Sequence, residues 1–124
     1  MGGLKKTQKF YRLFMIPGMR HCSGGPGAWV MGQGTGQQPL VRDDLHDVQT
    51  ALETWVEHGK APTKFIATKF TTDDVNATTV QFTRPICPHP QTARYTGGDP
   101  NSAASFACVG PGGTDDDDGD DDRD

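Results

Sequence analysis

The sequence predicts the edge of an α/β sheet, and three apolar patterns support this prediction. Residues 10–16, FYRLFMI, carry a single charge and are stopped by a proline-glycine pair, which is typical of a buried strand. Apolar residues then recur at helical spacing between positions 45 and 56, and residues 64–68 and 79–84 have the pattern of short strands. The order strand, helix, strand indicates that the helix packs its apolar stripe against one sheet.

The central helix has signals for both of its ends. Asp43 or Asp44 is available as the N-cap, and Gly59 followed by Pro62 ends the run. Residues 71–77 between the two later strands are polar and predict a turn. The apolar stripe of the helix consists of Leu45, Val48, Leu52, Trp55 and Val56.

Composition limits the size of the core. The chain has 124 residues, of which 33% are hydrophobic, with 16 Gly and 9 Pro, so we expect one small, loop-rich domain or a piece of a larger one. The last ten residues hold eight Asp and one Arg and contribute −7 to the net charge of −4, so the rest carries +3. We therefore divide the chain into residues 1–110 and a disordered acidic tail, 111–124.

Several classes of partner are not expected. The basic residues of the body are scattered, which disfavours nucleic acid, and no apolar run is long enough to span a membrane. The start of the chain also lacks the pattern of a signal peptide.

Three cysteines without a C-x-x-C pair mean that one disulfide would leave one thiol over. Cys87 and Cys108 enclose about twenty proline-rich residues of little periodicity, a closure for which chain entropy gives roughly 3 kcal/mol.

His21 is the candidate catalytic residue. It follows the first predicted strand, where an imidazole can project from the top of a sheet as a general base, with glycine beyond it leaving room for substrate. The alternative, a loop histidine without a role, stays open at this point. No G-x-S-x-G motif accompanies it, and Ser23 is too near in the chain to be its nucleophile. A zinc site of His21, Cys22, Cys87 and His89 is disfavoured because adjacent residues rarely converge on one ion.

Four sequence blocks, in this order, resemble the C-terminal portion of the tannase and feruloyl esterase family, α/β-hydrolases that cleave esters of plant phenolic acids. The blocks are RLFMIPGMRHCSGGPGAW, TWVEHGKAP, TRPICPHP and GDPNSAASFAC. The resemblance implies an incomplete domain, the C-terminal edge of an α/β-hydrolase sheet. Its order is strand, histidine loop, helix and strand, followed by a disulfide-stapled irregular C-terminal region.

The resemblance also implies roles for individual residues. His21 matches the catalytic histidine, and Cys22 matches a cysteine that forms a disulfide with the residue before the catalytic serine, whose partner would lie upstream of this chain. Cys87 and Cys108 match a C-terminal disulfide of the family. The serine and aspartate of the triad precede the histidine in such enzymes, so neither is expected here. Arg20 stands where the family commonly has glycine.

The implied function is carboxylic ester hydrolysis by a serine-histidine-aspartate mechanism, with the isolated chain inactive. The family is secreted, and the resemblance implies an aryl ester substrate and the missing N-terminal portion as partners. No cofactor or metal is expected in this segment, because the calcium-bearing lid of the family lies in the missing part. The alternative is a non-catalytic, secreted, disulfide-stapled interaction module.

Overall fold

A computed structural model of the chain describes residues 2–34 and 36–111. Its strands form two separate two-stranded antiparallel sheets, β1 with β2 and β3 with β4. The predicted disordered tail lies outside the described residues, apart from Pro111. In the part of the chain that is described, no helix is both long and apolar enough to cross a bilayer. The elements are α1 (Leu4–Thr7), α2 (Val48–His58), β1 (Phe65–Phe70), β2 (Val80–Ile86), β3 (Thr92–Tyr95), a 3₁₀ helix (Ala103–Ser105) and β4 (Phe106–Val109).

The two strands predicted after the helix are confirmed as a hairpin. β1 and β2 pair from Phe65 opposite Ile86 to Phe70 opposite Val80, with a bulge near the turn. Residues 28–31 lie against this hairpin, since Val30 exchanges backbone hydrogen bonds of 3.1 and 3.0 Å with Thr68. Two small core clusters result, and their buried members are Ala28, Met31, Ala51, Phe65, Ala67 and Ile86, and Trp29, Val30 and Phe70.

The prediction of a buried strand at residues 10–16 is wrong. Its first residues continue the turn after α1, since the Phe10 and Tyr11 N–H groups donate to the Thr7 carbonyl. Among the described residues its one bridge joins Phe14 to Pro88, beside a hydrogen bond of 2.7 Å from the His89 N–H to the Leu13 carbonyl. It therefore does not share a sheet with β1. The Phe14 ring packs edge-on against Phe65, with the ring centroids 4.8 Å apart. Because little else in the described chain covers this segment, four of its large side chains are exposed, namely Phe10, Tyr11, Leu13 and Met15.

Helix α2 begins later than the sequence predicts. Its N-cap is the buried Asp47, whose carboxylate accepts hydrogen bonds from the Gln49 N–H at 3.3 Å and the Thr50 hydroxyl at 3.1 Å. Neither Asp43 nor Asp44 caps the helix, because Asp43 instead accepts from the backbone of the preceding turn, at Leu45 and His46. The C-terminal end is as predicted, with Gly59 in the left-handed conformation at φ +69°.

Asp47→Ala is expected to lower the free energy of unfolding by about 1–2 kcal/mol, because it removes the N-cap of α2. The substitution also removes the partner of Arg42, 3.3 Å away. Urea unfolding followed by circular dichroism measures the loss. Asp44→Ala is the control, since its pair with Lys60 lies at the surface and contributes at most about 1 kcal/mol. Equal losses in the two variants would contradict the assignment of the cap.

The apolar stripe of α2 is only partly covered. Val48 packs on the first core cluster, as predicted, whereas Leu52 and Val56 are 57% and 77% exposed. The buried residue of the helix is Ala51, which the predicted stripe did not include. Trp55 is half-buried, with the Arg12 guanidinium 5.8 Å from its ring centre. The expectation that the whole stripe packs against a sheet is therefore wrong, because each sheet here has only two strands.

The C-terminal region is more regular than predicted. β3 and β4 pair from Thr92 opposite Val109 to Tyr95 opposite Phe106. The sequence of β3, TARY, alternates polar and apolar residues, but all four are exposed, so the alternation does not mark a buried face. Cys87 and Cys108 form a disulfide, with Cα atoms 5.6 Å apart, that joins the end of β2 to β4.

Candidate functional site

His21 lies at the exposed tip of a closed loop, residues 17–27, which we call the histidine loop. Two backbone hydrogen bonds close it, from the Gly27 N–H to the Gly18 carbonyl at 3.1 Å and from the Arg20 N–H to the Gly24 carbonyl at 3.0 Å. The first joins the two stems of the loop and the second spans the tip. The imidazole is therefore carried by a backbone whose ends are fixed to each other.

Two glycines allow the stems to approach so closely. A Cβ atom at Gly27 would collide with the Pro17 carbonyl oxygen, and one at Gly25 would collide with the carbonyl oxygen of Gly18. Any other residue would force these strands of the loop apart. The glycines therefore contribute close packing and specific turns rather than only the room for substrate that the sequence suggested.

A lysine of β1 anchors the histidine loop to the hairpin. The Lys69 ammonium donates to the Gly25 carbonyl oxygen at 2.9 Å and to the Asp73 carboxylate at 2.9 Å, and its side chain is only 12% exposed. The hydrogen bond from Lys69 lowers the pKa of the Asp73 carboxyl, and the positive charge of Arg20 adds to this effect. Arg20 is thus near enough for its charge to act on the Asp73 carboxyl.

Trp29 supports the loop from below. It is 4% exposed and packs in the second core cluster with Val30 and Phe70, as a packing residue should. Its indole N–H makes no hydrogen bond among the described residues, yet it lies close enough to Asp73 to help lower the pKa of that carboxyl. The loop therefore lies over the apolar cluster of Trp29, Val30 and Phe70, with the Lys69–Asp73 ion pair beside it.

His21 and Cys22 point away from this base into solvent. Both are exposed, Cys22 is a free thiol, and its φ of +66° is unusual for a residue with a side chain. Among the described residues, the His21 ring makes no hydrogen bond to a serine hydroxyl or a carboxylate. A left-handed non-glycine residue next to a candidate base is the kind of local strain that functional sites retain.

The zinc ligands considered from the sequence do not come together. Cys87 is bonded to Cys108 and so offers no thiolate, while Cys22 lies on the histidine loop. No three His, Cys, Asp or Glu side chains converge in the part of the chain that the structure describes.

An open, mainly apolar groove of about 300 Å³ lies between segment 10–16 and helix α2. Arg12 and Gln33 are polar residues in its wall. We call it the apolar groove, and its chief apolar lining residues are Phe14, Ile16, Val48, Leu52, Trp55 and Phe65.

Residues 1–109 match the family described as tannase and feruloyl esterase, and the chain belongs to this family. The family predicted from the four sequence blocks is thereby confirmed. An uncharacterized esterase of Xanthomonas campestris is 46% identical over 107 residues, which cover 86% of this chain and 18% of that protein. A mono(2-hydroxyethyl) terephthalate hydrolase of Piscinibacter sakaiensis is 44% identical over 103 residues, covering 82% of this chain and 14% of that enzyme.

A solved structure gives the same relationship. The crystal structure of feruloyl esterase B from Aspergillus oryzae superposes with a TM-score of 0.72 at 33% identity, covering 85% of this chain and 20% of that one. The chain thus spans between a seventh and a fifth of the relatives it matches. Its described part corresponds to one portion of an esterase fold.

Two residues that hold the histidine loop in place could not be identified from the sequence. Lys69 and Asp73 are distant from His21 in the chain, and neither belongs to a motif. One signal was present, because a lysine within the mainly apolar strand FIATKF needs a polar partner if its side chain is to be largely buried.

Proposed function

We propose that this chain supplies the general base of a carboxylic ester hydrolase and that the base is His21. The observation that carries the proposal is the His21-Cys22 pair at the exposed tip of a locked loop, in a chain that belongs to the tannase and feruloyl esterase family. The substrate class is an aryl ester of the kind found in plant phenolics, which the names of the feruloyl esterase relatives support.

The mechanism assigns one task to each ring nitrogen of His21. One nitrogen accepts the proton of a serine hydroxyl as its oxygen attacks the ester carbonyl, and returns it to the leaving alcohol when the acyl-enzyme forms. A water molecule then repeats the sequence and releases the acid. The other nitrogen donates its hydrogen to an aspartate, which holds the tautomer. An exposed ring with neither nitrogen engaged inside the described chain suits both contacts.

The serine and aspartate belong to the remaining portion of the esterase, in this proposal the N-terminal portion. Cys22 forms a disulfide with a cysteine beside that serine, so that base and nucleophile are covalently linked. Both thiols lose a proton and an electron in this step, and an oxidising, extracellular compartment supplies the acceptor. The free, exposed thiol next to His21 supports this role. The chain is accordingly a secreted protein that is inactive alone and holds no cofactor of its own.

A second candidate function is a non-catalytic, disulfide-stapled interaction module. It is favoured by the absence, within the described chain, of a serine or carboxylate bonded to His21, together with an open apolar groove. In this case the groove rather than His21 would be the functional feature.

A graft distinguishes the two functions. In the Piscinibacter hydrolase, the segment matched by this chain is replaced by residues 1–109, and hydrolysis of mono(2-hydroxyethyl) terephthalate and methyl ferulate is followed by chromatography. The graft is expected to hydrolyse at least one ester, and the 124-residue chain alone to release no more acid than buffer. A folded graft without activity, or an active isolated chain, would contradict the proposal.

A further inference from the structure

We propose that Lys69 is a positioning residue for ester hydrolysis, because it fixes the histidine loop on β1 and thereby sets where the His21 imidazole meets the serine. The inference rests on the proposed function, since Lys69 acts only through His21. It concerns the orientation of the whole loop, whereas the hydrogen bonds within the loop determine its shape.

The first argument is the environment of the Lys69 ammonium. The side chain is 12% exposed, and a largely buried ammonium needs polar partners in place of water. These partners are the Gly25 carbonyl oxygen and the Asp73 carboxylate, both at 2.9 Å. The hydrogen bond from Lys69 also lowers the pKa of the Asp73 carboxyl, so this partner stays ionised near neutral pH. The ammonium therefore has a defined position between β1 and the loop.

The second argument is that the loop has few other polar contacts with the β1–β2 hairpin. Of the hydrogen bonds that the structure describes for residues 17–27, the one from Lys69 reaches the hairpin, while those from the Arg20 and Gly27 N–H groups stay within the loop. Met19 adds packing against the second core cluster. Bonds within the loop do not oppose a tilt of the whole loop, so this task falls to Lys69 together with the packing of Met19.

The third argument is the short path from Gly25 to His21. The Gly24 carbonyl, which directly precedes Gly25, accepts from the Arg20 N–H at 3.0 Å. Gly25 itself is packed so closely that an added Cβ atom would lie 3.1 Å from the Arg20 nitrogen. Arg20 is the residue before His21. A displacement of the Gly25 carbonyl is therefore passed to the peptide that carries the imidazole.

The effect on the reaction follows from the geometry of proton transfer. A general base must lie within roughly 2.6–3.2 Å of the oxygen whose proton it accepts. A misplacement of about 1 Å can slow such a reaction on the order of a hundredfold. Because His21 lies at the tip of the loop and Gly25 on a stem, a small tilt displaces the ring further than it displaces the anchor.

Lys69→Met in the Piscinibacter graft described above removes the donor and keeps an unbranched side chain. We expect kcat to fall by about tenfold to a hundredfold and KM to stay within about twofold, because other groups bind the ester. Lys69→Arg keeps donors for both acceptors and should restore kcat to within about fivefold of the parent graft. Lys64→Met is the matched control and should leave kcat unchanged, since Lys64 is exposed just before β1 and outside these hydrogen bonds.

A double substitution separates positioning from general support of the fold. In the graft that carries His21→Ala, adding Lys69→Met should change the residual kcat/KM by less than about twofold, because the ring through which Lys69 acts is already absent. A lysine that merely supported the fold would lower the residual rate again. Circular dichroism of each variant checks that it is folded.

The full 124-residue chain tests the structural step without catalysis. Residual dipolar couplings should fit one common alignment for residues 18–27 and the β1–β2 hairpin in the parent chain. In Lys69→Met, the couplings of the loop should fall relative to those of the hairpin because the loop tilts. Amide exchange at Arg20 and Gly27 should stay within about threefold of the parent, since Lys69 does not take part in closing the loop.

The outcomes distinguish this role from the proposed function. If the parent graft is inactive, or if His21→Ala leaves it active, the proposed function fails, and the dipolar couplings still decide whether Lys69 orients the loop. If His21→Ala abolishes activity, four results overturn the role of Lys69 alone: equal kcat in Lys69→Met and Lys64→Met, a further loss in the double variant, loss of the fold in Lys69→Met, or an unchanged alignment of the loop.

Discussion

His21→Ala in the graft described above is expected to lower kcat/KM by at least about 10⁴-fold, the loss typical of removing the base from a serine triad. Without the imidazole, the serine must attack as a neutral hydroxyl, and the leaving alcohol must depart without a proton donor. Binding of the ester depends on other groups, so KM is expected to change little. Initial rates over a range of substrate concentrations measure the two parameters separately.

The control for this substitution is His58→Ala in the same graft. His58 is exposed at the C-terminal end of α2, and its removal should leave kcat/KM within about twofold of the parent because it affects at most the final turn of the helix. If His21→Ala retained a tenth or more of the activity, or if both variants lost activity equally, His21 would not be the base.

Removing the disulfide has the largest expected effect on stability. The double substitution Cys87→Ser and Cys108→Ser is expected to lower the free energy of unfolding by about 3 kcal/mol, because it opens a loop that is closed between two residues 21 positions apart. The loop contains β3 and the 3₁₀ helix, and the exposed β3 buries little apolar surface of its own. Urea unfolding curves of the parent chain and the double variant measure this difference, provided that the unfolding free energy depends on urea concentration with the same slope in both.

Cys22→Ser is the matched control for the disulfide, since Cys22 is the free cysteine and is exposed. Its unfolding midpoint should equal that of the parent chain. Addition of a reducing agent should destabilise the parent chain and the Cys22→Ser variant alike, and leave the double serine variant unchanged. A parent chain that is insensitive to reduction would contradict the structural role of the Cys87–Cys108 bond.

The sequence predicted those elements whose stability is local. The β1–β2 hairpin and the C-terminal end of α2 follow from a polar turn between apolar strands and from a glycine that can adopt positive φ. The N-cap was placed too early because Asp43, Asp44 and Asp47 have the same chemistry, and only the turn at Leu45 and His46 decides among them. Local patterns do not contain that information.

Burial was predicted less well than conformation. The pattern FYRLFMI predicts a buried strand, but whether such a segment is buried depends on what packs against it, and here four of its large side chains are exposed. The candidate site likewise combines a local motif, which can be predicted, with long-range contacts, which cannot. The motif around His21 led to the correct family, whereas the contact of Lys69 with Gly25 joins residues 44 positions apart and carries no sequence signature.

The glycine-closed histidine loop has a consequence for how an active site can be divided between polypeptides. Association costs conformational entropy for every torsion that becomes ordered, and the contacts at Gly25 and Gly27 have already fixed most of the loop within this chain. A partner would need to orient little more than the imidazole itself. A catalytic group on such a loop therefore has its backbone conformation before the two polypeptides associate. An enzyme of this kind can be divided at a point outside the loop with little loss of catalytic geometry.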